Sequence, residues 1–221
     1  MKRNHRLVFS FLALGLVVGT SAFSAIRELS VINARQESSA GVNEPATVQD
    51  PDEYAVWNVL LTQKYSVGTV KELVIRDRTA RQNLDVARLP NFEGAASDAA
   101  SNLKAKNQVQ YNIANKLSTN LPHTFLSQEA ENKLFHYPSD NRIDAEAFTK
   151  IQDGWSQFRQ DHPGARGLIT LSRVGFNSDK SVAVVYIGIQ ASMMKSNGTC
   201  FLLTKKNGSW EIEREDVIWY A

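Results

Sequence analysis

The sequence predicts an α+β fold, with N-terminal helices packed on a C-terminal four-stranded antiparallel meander. Three observations predict it. Apolar residues recur at three- and four-residue spacing through much of the chain before Pro163. From Leu168 onward the pattern changes to β-branched and aromatic runs separated by turn residues. Asn207-Gly208 then sits between two alternating runs, which is the strongest short hairpin signal. The chain has 221 residues, 43% hydrophobic and 22% charged, enough for one hydrophobic core and one domain.

Residues 1–24 read as a signal peptide. Lys2, Arg3 and Arg6 form a basic start, Leu7 to Val18 is a largely apolar run, and small residues follow. Cleavage after Ser24 places Ala22 and Ser24 at the small-residue positions, and cleavage after Ala22 uses Thr20 and Ala22. The alternative is retention as an N-terminal membrane anchor, because no charge interrupts Leu7 to Ile26. Export to the periplasm or the medium removes three basic and no acidic residues. The 25 basic residues become 22 against 23 acidic ones, and the net charge moves from +2 to −1. The basic pI therefore belongs to the signal, and neither nucleic acid nor a membrane is a partner of the mature chain. Cys200 is the one cysteine, so no intramolecular disulfide forms.

Residues 25–50 are small, polar or charged without an apolar period and read as a flexible linker, leaving 51–221 as the globular domain. Pro51 suits the first turn of a helix, Asp50 its cap, and Asp52 and Glu53 its positive dipole end. Tyr54, Trp57, Leu60 and Leu61 give its stripe. Leu73-Val74-Ile75 is a short strand followed by polar Arg76-Asp77. Ala99, Leu103, Val109, Ile113 and Leu117 suggest a second helix ending at Asn120 and Pro122, and Ser127 caps a third through Phe135. A helix from Asp144 carries Phe148, Ile151, Trp155 and Phe158 until Pro163-Gly164 stops it.

The meander comprises Leu168–Asn177, Val182–Gln190, Thr199–Lys206 and Ser209–Tyr220. The two-residue Asn207-Gly208 loop sets the register, pairing Lys205 with Trp210 and Leu203 with Ile212. Phe201, Leu203, Trp210 and Ile212 then share one face, expected to pack on the aromatic helix. Cys200, Leu202 and Thr204, opposite Glu215, Glu213 and Glu211, make the other a half-wet face. Asn197-Gly198-Thr199 reads as a turn.

The stretch Leu171-Ser172-Arg173-Val174-Gly175-Phe176-Asn177, then Ala183-Val184-Val185-Tyr186 and Lys206-Asn207-Gly208-Ser209-Trp210, resembles a family of exported bacterial proteins of unknown function. Glu53-Tyr54-Ala55-Val56, Arg76-Asp77, and Trp155 before Pro163-Gly164 are similar to that family too. It implies no site residues. Helices followed by an antiparallel sheet ending in a Lys-Asn-Gly-x-Trp hairpin are similar to the closing part of NTF2-like folds, which implies a pocket on the concave sheet face.

No motif amounts to a chemical signature. His123, His136 and His162 share no metal-ligand spacing, and no cofactor motif is present. Ser172 lacks the flanking glycines of a nucleophile elbow. Cys200 lies mid-strand without a neighbouring base and reads as an inert thiol. No catalytic residue is assigned. The candidate binding residues are Arg173, which interrupts an apolar strand, Asp77, which is placed to pair with it, and His162 at a helix end beside Asp161. These readings point to a non-catalytic binding or interaction domain for a small molecule or another protein. The alternative is an enzyme with a small pocket near Arg173, Asp77 and His162.

Overall fold

The computed structural model describes residues 44–80, 89–138 and 142–221. Residues 1–24 and most of 25–50 lie outside the described residues. The compact unit spans Pro45–Ala221, so the domain begins before Pro51. Val48 is buried, donates its N–H to the Asn112 carbonyl and accepts from the Tyr54 hydroxyl. Among the described residues, no helix is long and apolar enough to cross a membrane.

Helix α1, Pro51–Leu60, starts as its residues dictate: proline at the first position, with the Asp50 carboxylate accepting from the Asp52 N–H at 3.1 Å. It continues as one π-helical turn, Leu61–Tyr65. Strand β1 is Glu72–Arg76. Helix α2, Gly94–Lys106, is shorter than the spacing predicts. Asn107 ends it: its buried side chain donates to the Leu103 carbonyl and accepts the Arg173 N–H, a competing bond set that a continuing helix cannot supply. Val109, counted into the predicted stripe, is therefore exposed.

Strand β2, His123–Leu126, falls where no strand is expected. Helix α3, Gln128–Phe135, is capped by Ser127, and α4, Ala145–Asp161, by Asp144, whose side chains accept from Ala130 and Ala147 N–H groups respectively. Strands β3 (Ala165–Leu171), β4 (Gly175–Phe176), β5 (Val182–Ser192), β6 (Lys195–Lys206) and β7 (Ser209–Tyr220) complete the chain.

The sheet is mixed and seven-stranded, not a four-stranded antiparallel meander. Its order is β2-β1-β3-β5-β6-β7, with β4 beside β5. β1 pairs in parallel with both β2 and β3, while β5 to β7 run antiparallel to their neighbours. Parallel neighbours need crossover connections, and the helices supply them: α2 lies between β1 and β2, and α3 with α4 between β2 and β3. The NG hairpin has the expected pairs Lys205 to Trp210 and Leu203 to Ile212. A bulge between Leu202 and Leu203 then shifts the register by one, so Leu202 faces Arg214 and Cys200 faces Asp216, and a second between Gly198 and Thr199 adds another residue, so Gly198 faces Trp219. Asn197-Gly198-Thr199 is not a turn. It lies inside β6, and the chain reverses at Met193-Met194.

Alternation along the strands sends side chains into two layers. Leu73, Ile75, Ile169, Leu171, Val185, Phe201, Leu203 and Trp210 pack with Tyr54, Trp57, Leu60 and Leu61 of α1 and its π turn. The Phe201/Trp210 face thus meets α1, not the aromatic helix. On the other face, α4 with Phe135 covers Val74 and Leu168, and α2 covers Val184 and Cys200. That face is not half-wet at Cys200, which is fully buried. The two helical covers form separate clusters.

Candidate functional site

On this second face lies a basin lined by Arg76 of β1, Thr170 of β3, Tyr186, Gly188 and Gln190 of β5, and Ser196 and Trp219 of β6 and β7, with a cavity of about 190 Å³. Its floor follows from one pairing. Gly188 and Gly198 are direct cross-strand partners, and neither carries a side chain to hold neighbours off the sheet. The Tyr186 and Trp219 rings occupy that space. A Cβ on Gly198 would collide with the Trp219 indole nitrogen and meet Tyr186 Cε2 at 2.6 Å, and one on Gly188 would meet the Tyr186 hydroxyl at 2.7 Å. The Trp219 Nε1–H is buried and has no acceptor among the described residues.

One wall is ionic. Arg76 projects on the same strand face as Val74, two residues earlier. Its Nε donates to both Glu131 oxygens at 3.0 Å, its Nη2 to Glu131 at 2.7 Å and Gln190 Oε1 at 3.3 Å, and its Nη1 to the Thr170 hydroxyl. Arg78 donates to the other side of Glu131 and to Asp77 at 3.0 Å. Glu131 is 4% exposed. Burial pushes its carboxyl pKa up, but the Arg76 and Arg78 guanidiniums outweigh burial and hold it below the ordinary value. A carboxylate placed there without both partners is strongly disfavoured, so the triad acts as one unit.

The structure does not bring the three sequence candidates together. Arg173 forms no pair with Asp77. It donates from Nε and Nη2 to Glu53 at 2.9 and 2.7 Å and lies 4.2 Å over the Tyr111 ring. Glu53 is wholly buried and also accepts from Lys106 Nζ and the Val174 N–H. Asp77 is held by Arg78, at the edge of the ionic wall. His162 Nδ1 lies 3.3 Å from Glu72 and lines a different feature, a groove of about 560 Å³ between α3 and α4. Three different partners, Glu53, Arg78 and Glu72, hold Arg173, Asp77 and His162 apart.

No protein-family model, curated protein or solved structure matches this chain. The geometry alone carries the functional reading. Four residues that matter in it, Arg76, Glu131, Gln190 and Trp219, were outside the sequence candidates. Part of the signal was present. Arg76 follows Val74 at strand spacing, and Glu131 precedes Phe135 by four residues, on one helix face. Glu53 was legible likewise. It sits at helical spacing with Val56, Trp57 and Leu60, hence on the buried stripe and not only at the dipole end.

Proposed function

We propose that this chain is an exported, non-catalytic binding domain whose basin between α2 and the α3–α4 pair takes a small polar ligand. The observation that carries the reading is the buried indole N–H of Trp219, a donor without an acceptor, lining a polar cavity. Such a group costs about 1–3 kcal/mol unless something pairs with it, and a ligand oxygen is a fitting partner. The charges of the wall are spent on one another. Arg76 engages all three nitrogens, and Glu131 both oxygens. They hold the basin's shape without a proton to give or take, which favours recognition over acid–base chemistry. At about 190 Å³ the basin is smaller than the roughly 300–1,000 Å³ of drug-sized sites, so its ligand is of small-metabolite size.

Export rests on the basic start, apolar run and small residues of 1–24 and on the resemblance to exported bacterial proteins. The enzyme alternative at Arg173, Asp77 and His162 loses support because each is committed to a separate partner.

The test is protein-observed, ¹⁵N-correlated NMR with a panel of small amides, amino acids and sugars, read on the Trp219 indole N–H. Binders are expected to shift that resonance, and Gly198→Ala, which pushes both rings off the floor, to abolish the effect. Binders that leave Trp219 unmoved, or that bind Gly198→Ala equally well, overturn the reading.

A further inference from the structure

A second orphan donor stands outside the basin. Trp155 of α4 is 1% exposed, packed between Phe135 at 4.5 Å and Phe158 at 5.3 Å, and its Nε1–H has no acceptor among the described residues. It lines a cavity of about 310 Å³ between α4 and the β5–β6 turn, together with Met193 and Met194 and with two charged residues, Arg159 and Asp153, which form no ion pair with each other. Arg159 is uncommitted there. Among the described residues its guanidinium makes one long hydrogen bond, 3.4 Å to the Ser156 hydroxyl, and no ion pair. The two methionines complete the mouth. Met193 is half-buried against the aromatic cluster, and Met194 is 76% exposed.

We propose that this cavity binds a small carboxylate with an apolar tail, the carboxylate taken by the Trp155 indole N–H and the Arg159 guanidinium and the tail by Met193 and Met194. Three physical points carry it. A buried donor without a partner is disfavoured and is relieved by an oxygen acceptor. An arginine fork with no protein carboxylate matches a ligand carboxylate in both charge and shape. Methionine is unbranched and polarizable, so it adapts to an apolar tail where a β-branched residue would not. Trp155 Nε1 is sealed from solvent, so the ligand must displace a covering side chain to reach it, and the side chain proposed to move is Met193, which packs on the same cluster. The volume falls within the roughly 300–1,000 Å³ of small-molecule sites. This site is independent of the basin.

The experiment is a titration of the purified full-length protein with sodium hexanoate, followed on the tryptophan indole N–H resonances in ¹⁵N-correlated NMR spectra. Trp155→Phe assigns the signal. Hexanoate at millimolar concentration, the weak range expected for so small a ligand, shifts the Trp155 indole resonance, and Arg159→Gln, at an exposed position that leaves the fold intact, weakens binding at least tenfold. An unmoved Trp155 signal overturns the proposal, as does an equal response in Arg159→Gln or to hexan-1-ol, which lacks the carboxylate. A response at Trp219 instead places hexanoate in the basin and overturns it too, leaving the basin reading intact.

Discussion

Replacing Glu53 by alanine removes the acceptor of four hydrogen bonds in one step. The wild-type carboxylate has no exposed surface and takes Arg173 Nη2 at 2.7 Å, Arg173 Nε and the Val174 N–H at 2.9 Å, and Lys106 Nζ at 3.0 Å. The two cations it leaves behind have side chains only 12% and 23% exposed, so water does not fully replace the lost partner. Breaking a buried pair on one side costs about 3–5 kcal/mol, a large share of the roughly 5–15 kcal/mol that holds a domain folded. For a domain of about 150–250 residues each kcal/mol is worth roughly 2–4 °C in Tm, so the expected fall is about 6–20 °C. Glu53→Gln keeps the volume and one carbonyl acceptor and should lose less. Urea and thermal melts measure both. The double variant Glu53→Leu with Arg173→Met removes one charge pair on both sides and should be more stable than Glu53→Ala alone. A Glu53→Ala Tm within about 2 °C of wild type, or a double variant that is worse than the single, refutes the reasoning that buried charge pairing locks α1 to the β3–β4 connection.

Two further outcomes follow from protonation. The Glu131 carboxyl is held below its ordinary value of 4.5, the Arg76 and Arg78 guanidiniums outweighing the upward push of burial. With a folded pKa below the unfolded one, the stability it contributes is complete above the unfolded value and is lost as pH falls through the folded value. Urea midpoints taken from neutral to acid pH should drop across that window, and Glu131→Gln, less stable at neutral pH, should flatten the drop; an unchanged slope contradicts the triad. The Cys200 thiol is pushed up to about 12, by burial first and by the Asp216 charge second. The native protein should therefore resist a thiol-reactive dye at mildly alkaline pH and take up one equivalent after unfolding, whereas rapid native labelling would show that α2 opens off the sheet.

The local elements were legible from residues alone because their causes are local. Asp50, Ser127 and Asp144 cap helices through bonds spanning two or three residues, Pro163-Gly164 stops α4, and Asn207-Gly208 sets a hairpin whose first pairs are where the turn type puts them. Export is proposed from residues 1–24, which lie outside the described residues. Tertiary structure decided what depends on distant partners. The parallel pairing of β1 with β2 and β3 joins segments some fifty to ninety residues apart, and no local pattern ranks one such pairing over another because loop-closure entropy varies so slowly with length. The same holds for the helix covers: an apolar stripe states that a helix packs, not on which sheet face, so α1 and not α4 took Phe201 and Trp210. Arg173 read as the partner of Asp77, but nothing in the sequence ranks one of the 23 acidic residues above another, and only the packed core put Glu53 there and left Asp77 to Arg78. The basin, finally, exists because two glycines on adjacent strands came into register under Trp219, a coincidence of three chain positions that the pleat spacing of the folded sheet creates.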